Sequence, residues 1–264
     1  MYGAIIGDIV GSIYEFENVR SKDILLFDPL MRFTDDTILT VATMDVLLNP
    51  DLGYAEAYKK YFREYYENDR GFGSRFIQWG LNNSNDAYHS FGNSSAMRVS
   101  PIAYAFETAE EVLAEAKRSA EVTHNHLEGI KGAHAIALAI FHALKGMSKI
   151  DIELIIEDLF EYDLMRTIEE IRFTNEFDET YQDSVPEAIT CFLRSEKFED
   201  CIRTAISIGG DSDTIACMAG SIAEAFYYPI DQKWIKFADD CLDDELQSVV
   251  HEFYQTFKID ENLS

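Results

Sequence analysis

Two short acidic runs carry the most specific chemistry in this chain: Thr34-Asp35-Asp36-Thr37 and Gly209-Gly210-Asp211-Ser212-Asp213-Thr214. Thr34 stands directly before the apolar pattern of residues 38–48, which suits an N-cap, and Asp35 and Asp36 then fall in the first helical turn. Taken alone this is ordinary capping, because the positive end of the helix dipole favours nearby acids. The second run enters residues 215–226 in the same way, with two glycines admitting a tight approach of backbone to the next helix. Asp211 and Asp213 lie two apart at that junction, so both carboxylates can converge on one point while Thr214 adds a hydroxyl oxygen. Capping needs only one acceptor.

Clustered carboxylates and hydroxyls without nearby Cys or His favour a hard cation, Mg²⁺ first and Mn²⁺ second, over zinc. Two clusters suit two ions, and ions roughly 3.5–4 Å apart share a carboxylate and acidify a water between them. Near the start of the chain, Gly7-Asp8-Ile9-Val10-Gly11-Ser12-Ile13-Tyr14-Glu15 sets two more acids in an otherwise apolar segment. Asp8 has three readings here: a cap, a metal ligand, or the partner of a cation such as Arg98.

The elements that must position these acids read as helices. Apolar residues recur at helical spacing over residues 38–47, 135–144 and 152–159. Further helices are expected over 54–66, 109–122, 186–193, 198–208, 214–227 and 234–257. Strand-like alternation is short wherever it occurs, and no heptad or internal repeat is visible. The expected fold is therefore all-α, a compact multi-helix bundle in one domain over 1–264. The least helical stretch, 71–101, holds Gly71, Gly73, Gly80, Asn82, Asn83, Asn85 and Gly92 and reads as a long irregular connection of the kind that often carries function.

Composition narrows the partners. With 47% hydrophobic residues and 13% aromatics the chain is expected to fold throughout, and a formal charge of −26, from 22 basic against 48 acidic residues, argues against general nucleic-acid binding. Cys191, Cys201, Cys217 and Cys241 match no zinc spacing and read as reduced core residues. Residues 1–10 contain Asp8 and lack a basic leader and a small-residue cleavage site, and no apolar run approaches membrane length, so a cytoplasmic protein is expected.

Four stretches, in this order, resemble the ADP-ribosylglycohydrolase family, which includes dinitrogenase reductase-activating glycohydrolase and serine-linked ADP-ribose hydrolases. They are Gly7-Asp8 through Glu15, Thr34-Asp35-Asp36-Thr37, Gly92-Asn93-Ser94-Ser95-Ala96-Met97-Arg98, and Gly209-Gly210-Asp211-Ser212-Asp213-Thr214. The resemblance implies an orthogonal helical bundle whose dimetal centre is ligated by Thr34, Asp35, Asp36, Asp211, Asp213 and Thr214. It implies a glutamate, Glu15, on an N-terminal loop beside the metals, and a substrate loop formed by Gly92, Asn93, Ser94, Ser95 and Met97, with Phe91 placed to stack on adenine. Ser94 stands where many relatives have glycine. Thr123-His124 resembles a further position near the substrate. Asp183-Ser184-Val185-Pro186 also resembles a family stretch, but Pro186 at a helix start explains itself.

The implied reaction is metal-dependent hydrolysis of the glycosidic bond between ADP-ribose and an acceptor, with Asp36 orienting or deprotonating the water and Glu15 positioning substrate. The implied partner is an ADP-ribosylated protein or a small ADP-ribose conjugate. Two other readings stay open at this point: an ADP-ribose-binding or structural, crystallin-like protein without turnover, and a dimetal hydrolase of another bond such as a phosphoester. One departure is that the family's Gly-Ala-Tyr-Tyr-Gly-like ending stands here as Glu224-Ala225-Phe226-Tyr227-Tyr228.

Overall fold

The computed structural model describes residues 1–174 and 184–259. Among these residues the regular structure is helical, with no strand, as expected. In chain order the helices are α1 (Tyr2–Gly11), α2 (Asp35–Leu48), α3 (Tyr54–Tyr65), α4 (Ser74–Leu81), α5 (Ser94–Met97), α6 (Ser100–Ala105), α7 (Ala109–Glu121) and α8 (Leu127–Leu144). They continue as α9 (Lys149–Phe160), α10 (Ile168–Thr174), α11 (Ser184–Leu193), α12 (Phe198–Ser207), α13 (Ser212–Tyr227), α14 (Gln232–Cys241) and α15 (Asp244–Thr256). Asp183 lies outside the described residues, while Ser184 opens α11 with Pro186 in its first turn, where a missing N–H costs nothing.

The pair that builds the site is α1 against α13. Every residue of α1 is buried, and Gly3, Gly7 and Gly11 form a strip without side chains along it. A Cβ on Gly7 would lie 2.0 Å from the Ala216 carbonyl oxygen, and one on Gly11 would lie 2.4 Å from Asp213 Cα. The two backbones therefore touch, which packing alone can sustain against the poor helix propensity of glycine. Because Asp8 and Asp213 ride on these touching helices, the crossing carries both acids to one place.

Three expectations change. Residues 234–257 form two helices rather than one: Leu242 is extended and Asp243 caps α15, its side chain accepting from the Leu246 N–H at 3.0 Å. Residues 71–101 are not irregular throughout, since α4, α5 and the start of α6 lie inside them. Phe76 and Trp79 bury α4, and Gly80 meets the Phe62 ring, so the irregular part shrinks to 71–73, 82–93 and the 98–99 link. Finally, α8 is long and apolar enough to cross a membrane by length and composition, with 18 residues and a mean hydropathy of 1.2. Here it packs against α5, α6, α7, α9, α11 and α13 instead.

The four cysteines are free; Cys191, Cys201 and Cys217 are buried and Cys241 is half-buried, as expected.

Candidate metal centre and substrate pocket

Thr34 caps α2 as its sequence suggests, accepting from the Asp36 N–H at 3.4 Å, so Asp35 and Asp36 sit in the first turn. A second cap comes from outside the helix. Asp8 Oδ2 accepts from the Thr34 N–H at 2.9 Å and the Thr37 N–H at 3.1 Å, and Oδ1 accepts the Thr34 hydroxyl at 2.7 Å. The Thr37 hydroxyl donates to Asp8 as well. Of its three readings Asp8 therefore meets the first, capping α2 across space where the helix dipole favours negative charge. Arg98 is not its partner: that guanidinium donates to Ser119 O and Thr123 Oγ1 and lies over the Tyr58 ring.

At the second run, Gly209 (φ +74°) and Gly210 (φ +76°) take consecutive left-handed conformations that a side chain would resist. They deliver Asp211 to the N-cap position of α13 and Asp213 to its first turn. Asp211 makes no cap bond; its carboxylate instead accepts from Asn93 Nδ2 at 2.8 Å, tying the acidic loop to the start of α5. The Thr214 hydroxyl donates to Asp36 Oδ2 at 3.1 Å, joining the two runs directly.

The carboxylates form two overlapping groups. Asp8, Asp36 and Asp213 each bring an oxygen within 4.8 Å of the others, and so do Glu15, Asp211 and Asp213. Asp213 belongs to both. Asp35 stands outside both groups but lines the same pocket. Thr34 spends its hydroxyl on Asp8.

Electrostatically the carboxylates of this cluster repel one another, with Arg32 partly offsetting the repulsion at Glu15. Burial raises the Asp36 carboxyl well above the usual carboxylate range, and the charges of Asp8, Asp35 and Asp211 raise it further. Burial likewise lifts Asp213, followed by Asp211, Asp36 and Glu15, and lifts Asp35, followed by Asp8 and Asp211. Glu15 is pushed up to about 7, by burial first and then by Asp211 and Asp8. Asp36 Oδ1 is buried without a hydrogen-bond partner. Converging buried oxygens, an orphaned acceptor and acids that repel one another suit a hard divalent cation, and a repelling cluster of this kind is otherwise costly.

A cavity of about 430 Å³ opens over these acids, within the size range of small-molecule sites. Of the expected substrate residues, Glu15, Gly92, Asn93, Ser94, Met97 and His124 line it. Phe91 and Ser95 do not: Phe91 is partly exposed against the His126 ring, and the Ser95 hydroxyl turns away to the Gly129 carbonyl at 2.8 Å. Arg75, Tyr88 and Ser90 line it without having been singled out by the sequence. Asn18 was also missed. Its Nδ2 donates to Tyr14 O, Glu15 O and Gly210 O at 2.8, 2.8 and 3.0 Å, and its Oδ1 accepts from the Gly210 N–H at 2.6 Å. One amide thus fastens the Glu15 loop to the glycine turn, and no motif marks a lone loop asparagine beforehand.

Comparison with known proteins decides the family. The model of the ADP-ribosylglycohydrolase family matches residues 1–262. This chain belongs to the ADP-ribosylglycohydrolase family. It is similar to the ADP-ribosylhydrolase ARH3 of Homo sapiens, 30% identical over 314 residues that cover 87% of this chain and 84% of that protein. The ARH3 of Mus musculus is 29% identical over 309 residues, covering 85% and 82%. A solved structure, an ADP-ribosylglycohydrolase-related protein complex, superposes with a TM-score of 0.66 over 96% of this chain and 94% of that one at 22% identity, which shows a shared fold. The all-α bundle is thus that of the ADP-ribosylglycohydrolases, and the acidic cluster sits in a glycohydrolase.

Proposed function

We propose that this ADP-ribosylglycohydrolase releases ADP-ribose from an ADP-ribosylated acceptor by hydrolysing the glycosidic bond at the terminal ribose, with two divalent metal ions, Mg²⁺ foremost. The observation that carries the reading is the pair of carboxylate groups sharing Asp213 at the floor of the pocket. Asp36 and Asp213 would hold one ion and Glu15, Asp211 and Asp213 the other, with Thr34, Asp35 and Thr214 completing the set, while Asp8 braces Thr34 and Thr37 beside them. When bound, the ions supply Lewis acidity toward ribose hydroxyls and a water acidified toward neutrality.

The chain's own residues do the rest. Asp36, fixed by the Thr214 hydroxyl, orients the water and takes its proton. The carboxylates place negative charge beside the positive charge that develops on the ribose ring in an oxocarbenium-like transition state. Glu15, Gly92, Asn93 and Ser94 line the pocket; in this reading Glu15 faces the ribose and the Gly92–Ser94 stretch faces the diphosphate. Residues 1–264 act as one domain, and we place the protein in the cytoplasm.

Asn18 gives a first test of the centre. Asn18→Ala should weaken Mn²⁺ binding at one of two sites by about tenfold, the worth of one or two lost hydrogen bonds, while leaving the other site unchanged. Titration monitored by electron paramagnetic resonance reads this; two unaltered affinities would mean that Asn18 does not hold Glu15 in place.

A dimetal centre also suits phosphoester cleavage, so product identity separates the two readings. Incubation with an ADP-ribosyl conjugate should yield intact ADP-ribose. AMP or free phosphate as the first product would replace the glycosidic reading with phosphorus chemistry, and tight ADP-ribose binding without turnover on any conjugate would favour a binding role.

A further inference from the structure

Arg98 is fully buried, yet among the described residues no carboxylate pairs with it. Its Nη2 donates to Ser119 O at 3.0 Å and to Thr123 Oγ1 at 2.8 Å, its guanidinium carbon lies 4.1 Å from the Tyr58 ring centroid, and its Nε and Nη1 have no hydrogen-bond partner. A buried, half-satisfied guanidinium is expensive, so what it holds in place matters. Its side-chain partner is Thr123, and Thr123 Oγ1 lies 2.8 Å from His124 Nδ1.

The direction of the protons follows from which groups can donate. A guanidinium only donates, so the Thr123 oxygen accepts from Arg98. A hydroxyl oxygen can accept a second bond, but among the described residues the Thr123 hydroxyl proton has no acceptor other than His124 Nδ1, and that leaves Nδ1 as the acceptor. A neutral imidazole with Nδ1 as acceptor carries its proton on Nε2. Burial, followed by the nearby Arg98 and Arg75 charges, holds the His124 pKa well below its ordinary value, so the ring is neutral.

The ring is also held in place. A Cβ on Gly129 would lie 2.9 Å from His124 Cβ, the Tyr88 ring stands edge-on at 6.0 Å, and the Ser90 N–H donates to Thr123 O at 3.2 Å. His124 and Arg75 are the basic side chains lining a pocket that also carries Glu15, Asp35, Asp36, Asp211 and Asp213. A cationic ring there would be drawn to those carboxylates and would compete with the cations they attract. A neutral ring donates without that competition.

We propose that Arg98 and Thr123 are positioning residues that hold His124 as its Nε2–H tautomer, so that the ring offers the pocket a fixed neutral donor for a diphosphate oxygen of ADP-ribose. This rests on the proposed function for the identity of the ligand, but the tautomer itself does not. Long-range ¹H–¹⁵N correlation spectra of histidine-labelled protein, with His124 assigned through a His124→Gln variant, read the tautomer directly. The expected result is a neutral His124 protonated on Nε2. Thr123→Val, which keeps the shape and removes the hydroxyl, should mix the tautomers and weaken ADP-ribose binding by about tenfold, the worth of one hydrogen bond to a charged group. Thr123→Ser should restore both. A wild-type His124 protonated on Nδ1 overturns the proposal whether or not any variant folds, and so does a Thr123→Val protein with unchanged tautomer and affinity. Should the wild type show the Nε2–H form but neither bind nor release ADP-ribose, the relay stands and the ligand assignment fails.

Discussion

Asp36→Asn is expected to abolish hydrolysis while raising the melting temperature of the metal-free protein. The loss follows from the role given to the carboxylate: general-base catalysis contributes roughly 10²–10⁴-fold, and the same change also removes a metal ligand. The gain in stability follows from the surroundings. Asp36 is 2% exposed, one of its oxygens has no partner, and after burial the influences that raise its pKa are the charges of other carboxylates. An amide of the same shape removes that repulsion and the cost of burying a charge, so the metal-free protein gains stability. For a protein of this size each kcal/mol moves the midpoint by roughly 2–4 °C. Melting in chelator and turnover in Mg²⁺ are the two measurements. A residue needed only for folding would show the opposite sign in the melt, and retained turnover would remove Asp36 from the chemistry.

The wild-type protein in chelator should lose stability as pH rises from about 5 to 8, and saturating Mg²⁺ should cancel or reverse that slope. Glu15 is raised from 4.5 to about 7 in the folded state, and Asp8, Asp35, Asp36 and Asp213 are raised from 3.8, each with burial as the largest cause. The native state therefore binds more protons than the unfolded chain above pH 4, and stability falls with pH wherever that is so. The contribution is complete below the unfolded values and is lost as pH climbs through the folded ones, the Glu15 part being gone above about 7. Metal reverses the balance because its ligands must be deprotonated to bind. Scanning calorimetry at several pH values, with and without Mg²⁺, gives both slopes. A chelated protein whose midpoint is flat or rises over this range would show that the cluster is compensated by the chain itself and needs no cation.

Much of the site is legible in the sequence because its signals are local. Thr34 before two aspartates, and two glycines before Asp211, specify helix starts through capping and backbone freedom, and both helices begin where those residues place them. The all-α class followed from periodicity in the same way. What escaped the sequence was tertiary or masked by composition. Asp8 announces nothing about capping α2, because its partners lie 26 and 29 residues away. α1 carries no helical periodicity to read, since all its residues are buried, and its glycines argue against a helix until α13 is laid on them. The family resemblance of residues 92–98 places Ser95 in the substrate loop, and Phe91 just before it is placed to stack on adenine. The short helix α5 instead turns Ser95 away from Ser94, so neighbours in sequence face different surroundings. The break between α14 and α15 was written in Asp243-Asp244-Glu245, a capping run overlooked within a continuous apolar pattern.

The most direct test of the central claim is mass-spectrometric detection of free ADP-ribose released from arginine-linked, serine-linked and O-acetyl conjugates, with Mg²⁺, with Mn²⁺ and with chelator. Release of intact ADP-ribose in the presence of metal, and its loss in chelator, is the predicted result, and the ranking of conjugates would identify the acceptor. Release that persists undiminished in chelator would contradict the assignment of the two carboxylate groups as a working metal centre.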